Sequence, residues 1–131
     1  MCGDIKEILS KLINEVPEAE NTQWIKKIDE FKAVEAAGEN DDFSPRNIID
    51  AVNSRFDDDT VIATDVGQHQ MWVVQHYKFE KARRLLTSGG LGTMGFGMGA
   101  AVGGCIANGN KPTVLFTSDG SFGMNLIEMA T

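Results

Sequence analysis

The feature that most constrains the fold is an uncharged stretch, Ser88–Asn110, which holds most of the chain's 14 glycines. Glycine has no Cβ, so it occurs where the backbone takes unusual torsions or approaches another group closely, at an entropic cost in regular structure. From Thr93 onward the apolar residues have helical spacing. Because each interior glycine costs a helix about 1 kcal/mol relative to alanine, we expect close packing or a ligand to stabilise this helix.

Three interpretations of the stretch are open. A transmembrane helix is disfavoured, because the stretch is poor in leucine, isoleucine and valine and no basic flank follows it. A dinucleotide-binding fold would use Gly90–Gly95 as its G-x-G-x-x-G fingerprint and Asp119 as the ribose-binding acid. The third interpretation is the wall of a different phosphate-cofactor site, and the flanking segments test it.

Composition disfavours some partners and compartments. The chain has 131 residues and a net charge of −7, which argues against nucleic acid or an anionic membrane as the main partner. The two cysteines, Cys2 and Cys105, lack metal-ligand spacing and fit a reduced, cytoplasmic protein. Met1–Ser10 is amphipathic and does not have the pattern of a signal peptide.

The first part of the chain predicts helices without strands. Asp4–Glu15 has apolar residues at helical spacing, and a second helix should begin near Asn21 or Thr22 and end at Gly38. The face that this second helix should bury comprises Trp24, Ile25, Ile28 and Phe31. Since two amphipathic helices cannot close a core, we expect them to pack against something else. The polar run Glu39–Asp42 marks a boundary, which gives predicted segments 1–42 and 43–131.

Beyond the boundary, short strands alternate with helices. Ser44 and Pro45 form an N-cap followed by proline at the first helical position. Strands are predicted at Val61–Thr64, Leu85–Thr87 and Thr113–Thr117, and helices at Gln68–Tyr77, from Thr93, and at Ser121–Ala130. The last helix should bury Phe122, Leu126, Ile127 and Met129, and Trp72 should also be a core residue. This alternation predicts an α/β fold of three layers, with a parallel sheet flanked by helices.

Parallel sheets bind ligands at the carboxyl ends of their strands. The three predicted strand exits are Asp65–His69, Ser88–Gly92 and Ser118–Ser121, and each contains glycine. Asp119 could ligate Mg²⁺, which prefers oxygen ligands, or could be an ordinary helix cap. The exits therefore predict a phosphate or metal site at one edge of the sheet.

Three further residues in this region have both a functional and a structural interpretation. Gln68 and His69 open a helix after a strand, so they could donate hydrogen bonds to a diphosphate, or they could be structural. Met94 could support a heteroaromatic ring or belong to the core.

Three segments together closely resemble one family. Thr64–Trp72, Leu86–Gly97 and Ser118–Thr131 resemble the thiamine-diphosphate-binding domain of the catalytic subunit of acetolactate synthase (acetohydroxyacid synthase). The resemblance covers about Ser44–Thr131, and Gly3–Leu9 more loosely resembles the end of that family's central domain. It implies that residues 43–131 are the N-terminal part of a truncated thiamine-diphosphate-binding domain. Residues 1–42 would then be a helical remnant of the central domain plus a linker.

The resemblance also implies roles for single residues. Asp119 would ligate Mg²⁺, and Met94 would help to hold the cofactor in a bent conformation. The cofactor-binding residues would be Gly67, Gln68, His69, Gly92, Met94, Gly120 and Ser121. The implied reaction is the condensation of pyruvate with a second 2-oxo acid, in branched-chain amino-acid biosynthesis. The implied assembly is a homodimer or tetramer, with a regulatory subunit in some members.

The chain departs from the family pattern at two positions and lacks several parts of it. Ser118 stands where the family has a glycine, which should weaken metal binding, and Gly99 replaces a proline, which should be tolerated. The activating glutamate, a second metal-ligating asparagine and most of the FAD-associated domain would lie outside these residues, so no catalytic residue is assigned. We expect no synthase activity from the chain alone. An NAD- or FAD-binding module, a non-catalytic packing domain, and a pyruvate oxidase or glyoxylate carboligase are the alternatives.

Overall fold

The computed structural model describes residues 3–37 and 43–131, and the chain forms two compact units, Met1–Asn40 and Asp41–Thr131. The first unit contains helices α1 (Ile5–Glu15) and α2 (Thr22–Ala37). Asp4 caps α1, because its carboxylate accepts hydrogen bonds from the backbone N–H groups of the first turn. The predicted helix end at Gly38 and the predicted boundary at residues 39–42 lie outside the described residues.

Most of the apolar side chains described in α1 and α2 are exposed, so the predicted burial of the α2 face is wrong. The indole of Trp24 is 63% exposed, although it was predicted to be a core residue. The exposed apolar residues of the two helices include Ile5, Leu9, Leu12, Ile13, Ile25, Ile28 and Phe31. Helical periodicity identifies the apolar face of a helix, but it does not show whether another element covers that face.

The second unit is built on a three-stranded parallel sheet. Its elements are α3 (Pro45–Arg55), β1 (Val61–Thr64), α4 (Gln68–His76), β2 (Leu85–Leu86), α5 (Phe96–Ala107), β3 (Thr113–Phe116), α6 (Asp119–Met124) and a 3₁₀ helix (Leu126–Ala130). The strand order is β2-β1-β3, and Ile62 of β1 lies opposite Leu85 of β2 and Val114 of β3. The predicted α/β fold with a parallel sheet is confirmed.

Strand β1 is buried on both faces, which gives the unit its three layers. On one face, Ile62 forms the core with Ile49 of α3 and Val73 of α4, and Trp72 packs against this cluster as predicted. On the other face, α5 lies directly on the sheet at Gly104, where a Cβ would come within 2.7 Å of the Leu86 side chain. The glycine of α5 therefore allows an approach that an L side chain would prevent.

The glycine stretch and the last segment both differ from the predicted helices. Helix α5 begins at Phe96, after the N-cap Gly95 (φ +86°), and not at Thr93. No helix within the described ranges is long and apolar enough to cross a bilayer. The predicted helix Ser121–Ala130 is divided at Asn125, whose torsions are not helical and whose side chain bonds to Gly95 O. The predicted burial of Leu126, Ile127 and Met129 is wrong, since these side chains are 51, 79 and 67% exposed.

Candidate functional site

The three strand exits lie at one edge of the sheet. Because β1, β2 and β3 are parallel neighbours, their carboxyl ends point to the same edge. Hydrogen bonds connect the strand ends and the exits. The hydroxyl groups of Thr64, at the end of β1, and Thr87, just after β2, are 2.7 Å apart, and Ser121 Oγ donates to Val66 O at 3.5 Å. The segments that follow the strands therefore form one continuous surface.

Asp65 directly follows β1 and is an acidic residue at this edge that is 0% exposed. Its oxygens accept hydrogen bonds from the backbone N–H groups of Val66 (3.0 Å), Gly95 (2.9 Å) and Gly97 (3.2 Å). Its own N–H donates to Phe116 O at 2.8 Å. The sequence patterns assigned no role to Asp65. The available signal was an ionisable residue directly after a β-branched strand.

The first exit places Gln68 and His69 at the start of α4. Gln68 is exposed, and Gly67 precedes it as the N-cap with φ +154°. A Cβ on Gly67 would lie 2.9 Å from His69 Cε1, so this glycine makes room for the imidazole ring. His69 Nε2 is buried and has no hydrogen-bond partner among the described residues. The ring borders an apolar cavity of about 380 Å³ between α3, α4 and β3, which Trp72 also lines.

The second exit is a turn that Ser88 holds. Ser88 O accepts from the N–H of Gly92, and Ser88 Oγ accepts from the N–H of Thr93 at 3.1 Å. Gly92 has φ +61°, a conformation that L side chains rarely adopt, and a Cβ there would lie 3.9 Å from the Val66 side chain of the first exit. Met94 is 43% exposed. The turn thus presents Gly92 toward the first exit and leaves the Met94 thioether accessible.

The third exit places Asp119 at the first position of α6. The N-cap is Ser118, whose Oγ accepts from Ser121 N at 3.5 Å, so the interpretation of Asp119 as the helix cap is wrong. The Asp119 carboxylate is exposed and has no partner among the described residues. A Cβ on Gly120 would lie 3.5 Å from Met94 Cε, so Met94, which follows the second exit, lies beside this turn. The backbone of Ser118 (φ −120°, ψ 168°) is ordinary extended backbone, and the serine is accommodated without strain.

Asn125 is a further residue of this edge that the sequence patterns did not identify. Its side-chain amide donates to Gly95 O, which joins the end of α6 to the start of α5. A Cβ on Gly95 would lie 3.0 Å from Asn125 Nδ2. Asparagine after a short helix is a common cap, so the sequence signal did not distinguish this bond from a local one.

A charged cluster near the start of β1 is separate from the strand exits. The Asp59 carboxylate accepts hydrogen bonds from Lys81 Nζ (2.7 Å), Lys111 Nζ (2.8 Å) and Arg84 Nη2 (3.3 Å). Hydrogen bonds from Lys111 and Lys81 hold the pKa of Asp59 well below its ordinary value. Asn108, which ends α5, donates to Asp59 O at 2.7 Å. The cluster joins segments that are distant in sequence, and within it Arg84 Nε is buried without a hydrogen-bond partner among the described residues.

The topology disfavours the dinucleotide interpretation. In that fold, the strand that carries the glycine turn lies next to the strand that carries the ribose-binding acid. Here the glycine turn follows β2 and Asp119 follows β3, and β1 separates the two strands. The glycine segment also extends over residues 87–95 before α5 begins, so it is not a tight strand-to-helix turn.

Comparison with known proteins identifies one family. A family model described as "Thiamine pyrophosphate enzyme, C-terminal TPP binding domain" matches residues 65–131. The chain is 42% identical to the acetolactate synthase large subunit of Lactococcus lactis, over 98% of this chain and 23% of the relative. It is 43% identical to the acetolactate synthase isozyme 1 large subunit of Escherichia coli, over 98% of this chain and 24% of the relative.

A plant relative shows similarity over the same extent. Acetolactate synthase 1, chloroplastic, of Nicotiana tabacum is 37% identical over 100% of this chain and 21% of the relative. The chain therefore spans about a quarter of the length of the curated relatives that it matches.

Proposed function

We propose, since this chain belongs to the thiamine pyrophosphate enzymes through their C-terminal TPP-binding domain, that its second unit binds the diphosphate end of thiamine diphosphate. The single observation that carries the proposal is the position of three glycine-containing strand exits at one edge of a parallel sheet. This is the edge at which open α/β sheets bind their ligands. Gly92, which needs a positive φ, lies within this surface.

The residues of the first and third exits fit a diphosphate bound through a magnesium ion. Asp119 offers an exposed carboxylate that no described residue occupies, and Mg²⁺ is commonly held by one or two carboxylates together with phosphate oxygens. Residues 3–37 and 43–131 contain no group of three or more acidic, histidine or cysteine side chains that could hold a metal ion. We therefore assign Asp119 as a protein ligand that needs the phosphates to complete the coordination.

The first exit would contact the phosphate oxygens directly. Gln68 is exposed at the N-terminus of the nine-residue helix α4, where backbone N–H groups and the helix dipole favour an anion. His69 Nε2 is buried without a partner in the described structure, and a phosphate oxygen would satisfy it. Gly67 provides the space that the imidazole occupies. Gly120 and Ser121 would approach the same group from α6.

Met94 would support the organic part of the cofactor. Its thioether lies beside the turn at Gly120 and is partly exposed, and its flexible, polarizable side chain suits contact with a heteroaromatic ring. Thiamine diphosphate supplies an electron sink for breaking and forming carbon–carbon bonds. The residues of this chain bind and orient it.

The names of the relatives, which are acetolactate synthases, support a proposal about the reaction. We propose that the protein to which this chain corresponds condenses pyruvate with a second 2-oxo acid. We propose further that it is a cytoplasmic homodimer or tetramer, that FAD binds elsewhere in the longer protein, and that a regulatory subunit is an additional partner. For the 131-residue chain alone we expect no acetolactate from pyruvate, and its detection would contradict that part of the proposal.

Calorimetric titration of the purified chain tests cofactor binding. Thiamine diphosphate with Mg²⁺ should bind, NAD should not, and thiamine diphosphate with excess chelator should bind more weakly. Thiamine monophosphate with Mg²⁺ is the matched control, because it lacks one phosphate and should lose most of the metal-dependent affinity. Binding of NAD without binding of thiamine diphosphate would support the nucleotide-binding alternative. If neither ligand binds, the strand exits of this chain do not form a diphosphate site.

A further inference from the structure

We propose that Asp65 is a positioning residue for this site. Its buried carboxylate fixes the glycine segment that carries Gly92 and Met94. This inference rests on the proposed function, because it names the residue that sets the geometry of the thiamine-diphosphate edge. Asp65 lies outside the set of residues expected to touch the cofactor. It would act through the backbone of Gly95 and Gly97, which follow the second exit.

The environment of Asp65 shows what its carboxylate does. The side chain is fully buried, and no lysine, arginine or histidine forms an ion pair with it among the described residues. Burial of a carboxylate is strongly unfavourable unless hydrogen bonds replace the lost water. The N–H groups of Gly95 and Gly97 supply two of these bonds, at 2.9 and 3.2 Å. They belong to the N-cap and first turn of α5, where the helix dipole also favours a negative charge.

The segment that Asp65 holds needs such an anchor. Gly95 adopts φ +86°, and glycine populates many other conformations in a free chain. Met94 is the residue directly before Gly95, so the direction of its side chain depends on the torsions at this point. With Gly95 bonded to the carboxylate of the first exit, Met94 is directed to the turn at Gly120. The side chain of Asn125 also bonds to this segment, at Gly95 O.

Two further hydrogen bonds hold Asp65 itself in place. Its backbone N–H donates to Phe116 O, which links it to the end of β3, and its carboxylate accepts from the adjacent N–H of Val66, which restricts its side-chain rotamer. Asp65 therefore links three segments: it begins the first exit, its carboxylate bonds to Gly95 and Gly97 beyond the second exit, and its N–H bonds to β3, which leads to the third exit. A carboxylate with this set of partners can transmit position between the diphosphate-binding and Met94-bearing segments.

The test compares Asp65→Asn and Asp65→Ala with wild type in the 131-residue chain. Thiamine-diphosphate affinity is measured by calorimetry at saturating Mg²⁺, and backbone amide hydrogen exchange is measured by NMR without ligand. Asp65→Ala should weaken binding about tenfold, because hydrogen bonds to a charged group are lost. Asp65→Asn keeps the shape and one acceptor oxygen, so it should recover part of the affinity. Exchange at Gly95 and Gly97 should accelerate in both variants, while exchange at Ile62 and Ala63 is unchanged.

Ser44→Ala is the matched control for a purely structural effect. Ser44 Oγ caps α3 by accepting from Asn47 N, and no hydrogen bond joins this side chain to the glycine segment among the described residues. The substitution should lower thermal stability without changing the cofactor affinity or the local exchange at Gly95.

Three results would overturn the inference about Asp65. These are wild-type affinity in Asp65→Ala, unchanged exchange at Gly95 and Gly97, and acceleration that extends equally to the β1 amides. If wild type itself does not bind thiamine diphosphate, the proposed function fails, and the exchange data still decide whether Asp65 fixes the segment.

Discussion

Gly97 of α5 packs directly against Leu115 of β3. A Cβ on Gly97 would lie 2.8 Å from Leu115 Cδ1 and 3.0 Å from both the backbone N and Oδ2 of Asp65. Because Asp65 N is a backbone atom in the buried strand exit, it cannot move aside as a flexible side chain can. Gly97→Ala should therefore lower the free energy of unfolding by about 1–3 kcal/mol, the usual effect of overpacking. Urea unfolding followed by tryptophan fluorescence measures it.

The same helix contains its own control. A Cβ on Gly99 or Gly103 would have no atom within 4 Å, and neither glycine has a positive φ. Gly99→Ala and Gly103→Ala should each stabilise the protein by about 0.5–1 kcal/mol, because alanine loses less backbone entropy in a helix. If Gly97→Ala stabilised the protein to the same extent as these two changes, the close approach of α5 to β3 would be wrong.

Ser118 gives a prediction with opposite effects on stability and binding. Its hydroxyl caps α6 by accepting from Ser121 N, an amide that we assign to the diphosphate site. Ser118→Gly should lower stability by only a few tenths of a kcal/mol, since glycine is a tolerated N-cap. It should also strengthen thiamine-diphosphate binding about two- to fivefold, because a weak hydrogen bond no longer competes for the amide. Paired calorimetry and thermal unfolding measure both effects.

Ser118→Thr is the control for this prediction. Threonine keeps the capping hydroxyl, so it should bind the cofactor no better than wild type. A gain in affinity for Ser118→Thr, or none for Ser118→Gly, would show that the hydroxyl does not limit binding.

The cluster around Asp59 predicts a pH dependence of stability. Hydrogen bonds from Lys111 and Lys81 lower the folded-state pKa of Asp59 below its ordinary value of 3.8. The unfolded chain therefore binds this proton more tightly, and ionised Asp59 contributes stability above about pH 4 that is lost as the pH falls toward the folded-state pKa. Asp59→Asn should thus be destabilised relative to wild type at pH 6, and the difference should decrease progressively below about pH 4.

Unfolding by urea between pH 3 and 7 checks this dependence. Asp58→Asn removes the neighbouring carboxylate, which accepts no hydrogen bond within the described parts of the chain, and should show a smaller change with pH. Added salt should reduce the Asp59 effect, because the cluster is partly exposed. A difference that stays constant from pH 6 to pH 3 would contradict the assigned cause.

The α/β fold could be predicted because the strands carry strong local signals. Val61–Thr64 is a β-branched run followed by aspartate and glycine, and Thr113–Phe116 follows a turn cluster with glycine and proline. These signals depend on residues close together in sequence. Burial depends on partners that are distant in sequence, which is why Trp24 and Ile127 were wrongly predicted to be buried.

The candidate site shows the same division between local and distant information. The strand exits could be identified from their glycines, whereas Asp65 could not be distinguished from an ordinary turn residue. Its hydrogen-bond partners Gly95 and Gly97 lie 30 and 32 positions away, so their proximity exists only after the sheet has formed. Ser118 was recognised as a departure from the family pattern, but its capping bond depends on where α6 begins in the folded chain.

Asp119 provides the most direct test of the metal site. Its carboxylate is exposed and unoccupied by any described residue, so Asp119→Asn should have little effect on folding, about ±0.5 kcal/mol. As the proposed carboxylate ligand of Mg²⁺, it should nevertheless determine how the metal assists cofactor binding. Asp119→Asn should weaken thiamine-diphosphate binding at least about tenfold at about 1 mM Mg²⁺, a change equivalent to about 1.4 kcal/mol.

Asp50→Asn is the charge-matched control on α3, where the carboxylate pairs with Arg46 at 3.7 Å, and this variant should bind the cofactor as wild type does. Raising Mg²⁺ should restore much of the affinity of Asp119→Asn, because a weakened ligand set is compensated by mass action. If Asp119→Asn and Asp50→Asn bind equally, the metal is held by other groups and the third exit has only a structural role.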